Sequence, residues 1–163
     1  KKTYYPHEII KVITLQYLFF SDQKINKTSL MKKALQKYLS HFERLQDNKI
    51  DDLLSTVSEN FIFEDPFQKI KGKSQFKALL KKMFKRLKKP KFKIIMVYEH
   101  KLVNVVKWNF SCEFLKKTIS FSGMSEIYIK EKLVTKHIDY WDSGRNFYSH
   151  LPLIGSIFRG IHK

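Results

Sequence analysis

One cysteine, four arginines among 32 basic side chains and no apolar run long enough to cross a bilayer remove several functional classes at once. Cys112 alone cannot close an internal disulfide and lacks the companions of a thiolate zinc site. A reducing, cytoplasmic setting is expected. No two histidines share one element at ligand spacing, so neither a metal nor a cofactor is expected. The most apolar stretch near the start, Glu8–Phe20, is too short for a span and carries Lys11. Two lysines precede it in the manner of a signal peptide, but no small-residue cleavage pattern follows. The first residue is Lys1 rather than Met, which fits either processing or a fragment, and residues 1–26 are set apart as an extension of unknown role. The scarcity of arginine qualifies the net charge of +17. Lysine is a hydrated point charge, poorer than arginine at bidentate reading of bases or phosphates. Weak electrostatic binding to acidic surfaces and steering of anions are expected, without a specific nucleic-acid partner. The alternative is a lysine-biased composition with no partner behind it.

What is present argues for a folded domain: 43% of residues are hydrophobic and 15% aromatic, too many for disorder. Residues 27–146 suit a single domain and 147–163 an apolar, basic tail, which packs at the pocket mouth or sheet edge or touches a bilayer. Thr28 or Ser29 can cap a helix running to about Gln46, with Leu35, Tyr38, Leu39, Phe42 and Leu45 on its buried face. Asp51 starts a second helix, reaching about Ser58. Phe61–Phe67 reads as a short strand stopped by Pro66. Residues 74–89 form an amphipathic helix, with Phe76, Leu80, Met83 and Leu87 in one stripe, lysines around it and Pro90 as its terminator. Its basic face is either a solvated surface or a site for membrane or nucleic acid.

Four strands follow, near 91–98, 103–114, 119–129 and 133–141, with β-branched and aromatic residues at alternate positions. A three-residue turn at Lys130–Lys132 would pair Ile129 with Leu133, Ser125 with His137 and Gly123 with Asp139. Pairing Phe114 with Ile119 would place Trp108 by Ser125 and Phe110 by Gly123. Alternation then gathers Trp108, Phe110, Cys112, Phe121, Ser125, His137, Asp139 and Trp141 on one face. The other face would carry a charge ladder, Lys107–Glu126–Lys136. A His and an Asp on an apolar face, beside a glycine that leaves space, point to a pocket for a small hydrophobic ligand.

Helix, short helix, short strands, basic helix and four-strand meander is an α+β order. It resembles the nuclear transport factor 2-like superfamily, which includes ketosteroid isomerases and SnoaL-like polyketide cyclases. The resemblance spans about 29–142. It rests on Phe63-Glu64-Asp65-Pro66-Phe67 followed by Gly72 and an amphipathic helix, on His137-Ile138-Asp139-Tyr140-Trp141-Asp142, and on Leu151–Gly155 after them. The resemblance implies a curved, cone-shaped antiparallel sheet wrapped around helices. It implies that Asp65 sits where ketosteroid isomerases hold their general base. His41 falls at the oxyanion tyrosine, with Tyr38 one helical turn away, and Ser125 at the protonated aspartic acid. Polyketide cyclases also use carboxylates, a role open to Asp139 with His137. The superfamily further implies a homodimer through the outer sheet face, with Val103, Val105, Met124, Tyr128, Val134, Ile138 and Tyr140.

The chemistry expected is isomerisation, aldol-type cyclisation or dehydration of a small hydrophobic carbonyl compound. Asp65, flanked by Phe61, Phe63 and Phe67, would be the better base, and Asp139 its orienting partner. His137, Ser125 or His41 would donate to the developing oxyanion. The alternatives are a noncatalytic ligand-binding or dimerisation module of the same fold, or a basic adaptor. The alternative for Asp65, which precedes Pro66, is a turn cap.

Overall fold

The structure, a computed structural model, describes residues 29–148 and Gly160. The extension 1–26 and most of the 147–163 tail lie outside the described residues. Helix α1, described over 29–43, buries Leu35, Tyr38, Leu39 and Phe42, the stripe its spacing predicts. A 3-10 turn at Asp47–Lys49 leads into α2, Ile50–Leu54. The second helix ends earlier than expected because strand β1 already begins at Val57 and runs to Asp65. Val57 and Phe61 are fully buried, which rewards the extended backbone there. After β1 come β2 (Gln68–Lys71), α3 (Lys73–Arg86), β3 (Lys88–Tyr98), β4 (Asn104–Phe114), β5 (Lys117–Lys130), β6 (Leu133–Tyr140) and α4 (Ser143–Asn146). Gly72 opens α3 at φ 102°, a left-handed position that favours glycine. Pro90 does not end α3. Leu87 is already extended, and Pro90 lies inside β3, an edge strand where a missing N–H is tolerated.

The six strands form one sheet in the order β2-β1-β6-β5-β4-β3. The meander β3–β6 is antiparallel as predicted, whereas β1 joins β6 in parallel, so the sheet as a whole is mixed. Helix α3 runs along this sheet from Phe76, whose ring lies 4.8 Å from Phe61 and 5.3 Å from Phe63, to the turn into β3. The core fills the space between α1, α2, α3 and one face of the sheet.

Apart from Val134, the meander keeps its predicted faces but not its predicted partners. Both hairpins close on two residues: Leu115-Lys116, with φ 49° and 62°, and Glu131-Lys132, with φ 52° and 67°. Left-handed geometry at both central positions is the type I′ hairpin turn. Phe114 therefore pairs Lys117, which moves Trp108 opposite Gly123 and Val106 opposite Ser125. Between β5 and β6 the tighter turn and a bulge together displace the register by two, so Ser125 pairs Asp139 and Ile127 pairs His137. Thr135 is the extra residue of that bulge, and its hydroxyl donates to the Tyr128 carbonyl at 3.3 Å. The bulge also turns Val134 into the core, where it is fully buried, away from the outer face assigned to it. The charge ladder is likewise replaced. Lys107 opposes Met124, and Glu126 lies between Val105 and Ile138 and accepts a hydrogen bond from Tyr128 Oη at 2.7 Å.

Gly123 does leave space, but the space belongs to the Trp108 indole. A Cβ at position 123 would come within 2.3 Å of that ring. Gly123→Ala is expected to cost about 1–3 kcal/mol through overpacking. Urea denaturation reads the loss, and a shift in tryptophan emission reports displacement of the ring.

Candidate functional site

Strand alternation on β4, β5 and β6, the inner stripe of α3 and the loop after β1 converge on one cavity of about 830 Å3. Its wall is largely aromatic: Phe63, Trp108, Phe110, Phe121 and Trp141, all expected from sequence, together with Phe42, Phe67, Phe92, Phe114 and Phe147. Phe121 stacks on Trp141 at 4.7 Å, and Phe67 meets Trp141 edge-on at 5.1 Å. The polar groups on this wall are few. Asp65, Gln68, Asp139, Lys82, Arg86 and Tyr148 supply them, and Cys112 adds a buried thiol whose pKa burial pushes up, which keeps it protonated.

Asp139 heads a buried polar chain. Its Oδ1 accepts from Ser125 Oγ at 2.5 Å and faces His137 Nε2 at 2.7 Å. His137 Nδ1 lies 2.6 Å from Tyr38 Oη, and Trp108 Nε1 donates to Ser125 Oγ at 2.7 Å. The assignment that satisfies every atom has Tyr38 donating to Nδ1 and Nε2–H donating to the carboxylate. Burial, then the charge of Asp139, pushes the Tyr38 hydroxyl well above its usual pKa, in keeping with a permanent donor. Among the described residues no buried side-chain nitrogen or oxygen lacks a partner. Oδ2 of Asp139 makes no hydrogen bond to a described residue, and it belongs to a side chain on the cavity wall.

This chain relocates several sequence-derived candidates. Ser125, His137 and Tyr38 are 1%, 4% and 0% exposed and stand behind Asp139 rather than on the cavity wall. For Ser125 and His137 the two-residue change of register is the cause, since it sets Asp139 beside Ser125, whose hydroxyl Trp108 also bonds, while Tyr38 reaches His137 from α1. His137 is packed among Tyr38, Phe42 and Phe63, with ring centroids 5.4–5.7 Å away. His41 is also off the wall. Phe42 is the α1 residue that lines the cavity, and successive helix residues point about 100° apart.

Asp65 reaches the cavity from the loop end of β1. Its Oδ1 accepts from the backbone N–H of Phe67 and of Gln68, each at 2.9 Å, and Oδ2 accepts from Gln68 Nε2 at 3.3 Å. The residue is therefore a turn cap and a cavity carboxyl at once. Burial raises its pKa above the usual carboxylate value, opposed by these hydrogen bonds and reinforced by the nearby charge of Asp139. A raised folded-state pKa favours the protonated form. The stability it contributes is complete below the unfolded value of about 3.9 and is lost as pH rises through the folded pKa. Asp65→Asn fixes the neutral state. The urea midpoint of wild type relative to this variant is expected to fall as pH climbs through that window, and a constant difference would contradict the assignment.

Sequence reasoning left Lys82, Arg86 and Phe92 out of the cavity, whereas Phe147 and Tyr148 open the tail for which the pocket mouth was one expected place. The signal for Lys82 and Arg86 was their i, i+4 spacing beside Leu79 and Met83, which puts two cations on the cavity flank of α3.

The SnoaL-like domain profile matches residues 38–137. The chain belongs to the SnoaL-like domain family. No curated protein matches it. Among solved structures, this SnoaL-like chain is similar to a candidate polyketide cyclase from Xanthomonas campestris pv. campestris, at 13% identity and TM-score 0.62, over 72% of this chain and 93% of that one. It is similar to an epoxide hydrolase of the LEH-like type from M. tuberculosis, at 16% identity and TM-score 0.62, over 84% and 99%. It is similar to a hypothetical protein with a ketosteroid isomerase-like fold from Catenulispora acidiphila, in complex with trimethylamine, at 10% identity and TM-score 0.61, over 75% and 92%. At these identities the likeness establishes the fold, the α+β nuclear transport factor 2-like architecture, and leaves the activity to the site. Among the described residues no helix is long and apolar enough to cross a membrane.

Proposed function

We propose that this SnoaL-like domain carries out acid–base chemistry on a small apolar carbonyl compound, with Asp139 as base and Asp65 as proton donor. The observation that carries the reading is the presence of two carboxyls on one aromatic cavity wall, one backed by a buried Ser–His–Tyr chain and the other with a raised pKa. Two carboxyls whose surroundings differ divide naturally into base and acid. Asp139 Oδ2 takes the proton alpha to the carbonyl, and the electron pair moves onto the carbonyl oxygen. Protonated Asp65 donates to that oxygen, giving the enol. Return of a proton at another carbon is isomerisation, and attack of the enolate on a second carbonyl is cyclisation. His137 and Tyr38 are positioning residues that orient Asp139. This reverses the division of labour expected from sequence, because Asp65 Oδ1 is occupied by its own turn.

The test is exchange of the alpha hydrogens of 2-tetralone in D2O, followed by proton NMR. Acceleration by the wild type and loss in Asp139→Asn support the reading. No acceleration at all would favour a noncatalytic binding module.

A homodimer through the outer sheet face is proposed alongside. Met124 and Tyr140 are cross-strand partners there and are 44% and 51% exposed. Sedimentation that finds only monomer at micromolar concentration would refute it.

A further inference from the structure

Helix α3 carries its cations on two flanks with different fates. On one flank, Lys73, Lys77 and Lys81 recur every fourth residue and are each ion-paired, with Glu59 at 2.7 Å, Asp51 at 2.6 Å and Asp47 at 3.1 Å. These pairs neutralise the stripe that an acidic surface would otherwise meet. On the other flank, Lys82 and Arg86, also four apart, line the cavity and form no ion pair with any described residue. Both are exposed, so they stand at the edge of the cavity with water on one side and the aromatic wall on the other.

The topology sets Arg86 and the two carboxyls at different strands of the sheet. Asp65 and Asp139 end adjacent strands, β1 and β6. Arg86 is the last residue of α3, next to the turn into β3, at the far edge of the same sheet. Of the acidic residues near that edge, Glu113 is held by Lys89 at 2.5 Å and Glu43 accepts from the Ile94 backbone N–H at 2.9 Å. The cavity wall thus carries two carboxyls, two cations and many aromatic rings, with Arg86 toward the β3 edge of the sheet.

We infer that the cavity receives an apolar molecule bearing one anionic group, such as a carboxylate or sulfonate, with Lys82 and Arg86 holding the anion and the aromatic wall holding the body. Arginine gives a planar two-donor fork, lysine a point charge, and the pair i, i+4 can bracket one anionic group. A neutral ligand would leave both cations at the cavity edge without a counter-charge, whereas Lys85, the other α3 cation that forms no ion pair with a described residue, does not line the cavity. The net charge of +17 then serves to steer such anions toward the mouth. This inference rests on the cavity being a ligand site, as proposed above, and narrows the ligand class.

Two fluorescent probes share one ring system and differ in charge: 1-anilinonaphthalene-8-sulfonate and neutral N-phenyl-1-naphthylamine. The wild type is expected to bind the sulfonate more tightly, with an affinity that falls as salt rises. Lys82→Gln/Arg86→Gln is expected to weaken the sulfonate roughly tenfold and to leave the neutral probe within about twofold, the scale of two partly exposed ion pairs. Lys77→Gln/Lys81→Gln removes the same net charge from the paired flank and is expected to preserve the preference. Equal affinity for both probes, or equal loss in both double variants, would overturn the inference while leaving the cavity as a binding site. Failure of both probes to bind the wild type would overturn both the inference and the reading beneath it.

Discussion

Asp139→Asn is expected to lower alpha-hydrogen exchange by roughly a hundredfold to ten-thousandfold, the usual contribution of a positioned general base. The fold should survive the change. Asn at 139 keeps an oxygen where Ser125 Oγ and His137 Nε2 converge, so the buried chain behind it retains its acceptor. Ligand affinity should change only severalfold, because most of the cavity surface is aromatic and untouched. NMR exchange rates and probe titration on the same preparation separate the two effects. Asp65→Asn should cost less. It removes a proton donor to the oxygen but keeps the turn, since an amide oxygen can accept from Phe67 and Gln68 N–H. An Asp139→Asn protein with wild-type exchange would end the acid–base reading for Asp139. Should Asp65→Asn alone be inactive, the base would be Asp65, as the sequence motif implies.

The elements of this fold were legible in sequence because their apolar periods are regular. The α1 and α3 stripes, the alternation along β4 and β5, and the inward face of Trp108, Phe110, Phe121 and Asp139 all follow from spacing. The register was not legible because the hairpin signal is missing. A two-residue type I′ turn ordinarily declares itself by Asn-Gly, yet Leu115-Lys116 and Glu131-Lys132 hold that backbone in side chains that rarely adopt it. A displacement of two preserves which face each residue takes and changes only its neighbours. That is why the cavity wall could be anticipated while Ser125 and His137, which share its face, were placed on it. The bulge at Thr135 shows the converse. One extra residue inverted Val134, and no local pattern announces it. Long-range pairings such as Tyr38 with His137, 99 residues apart, depend on how α1 lies against the sheet and have no signature in either segment.

The largest expected loss of stability belongs to His137. Replacement by Leu removes a donor from Asp139 and an acceptor from Tyr38 in a region with almost no access to water. Leaving a buried carboxylate short of a partner costs about 3–5 kcal/mol, and the Ser125 hydroxyl that remains favours the lower end. Replacement by Gln separates chemistry from packing. Its amide nitrogen can donate to Asp139 and its oxygen can accept from Tyr38, so recovery of at least half the loss is expected if the polar chain is what His137 sustains. A Tyr38→Phe change supplies the second axis. In the wild type it strands His137 Nδ1 and should cost about 1–3 kcal/mol. In the His137→Leu background there is nothing left to strand, so its cost should largely vanish. Urea midpoints for the four proteins form a double-mutant cycle. Strong coupling places Tyr38 and His137 in one structural unit that holds Asp139 in position. Additive effects, or a Gln variant no better than Leu, would mean that the histidine serves as packing alone and that Asp139 is held by Ser125.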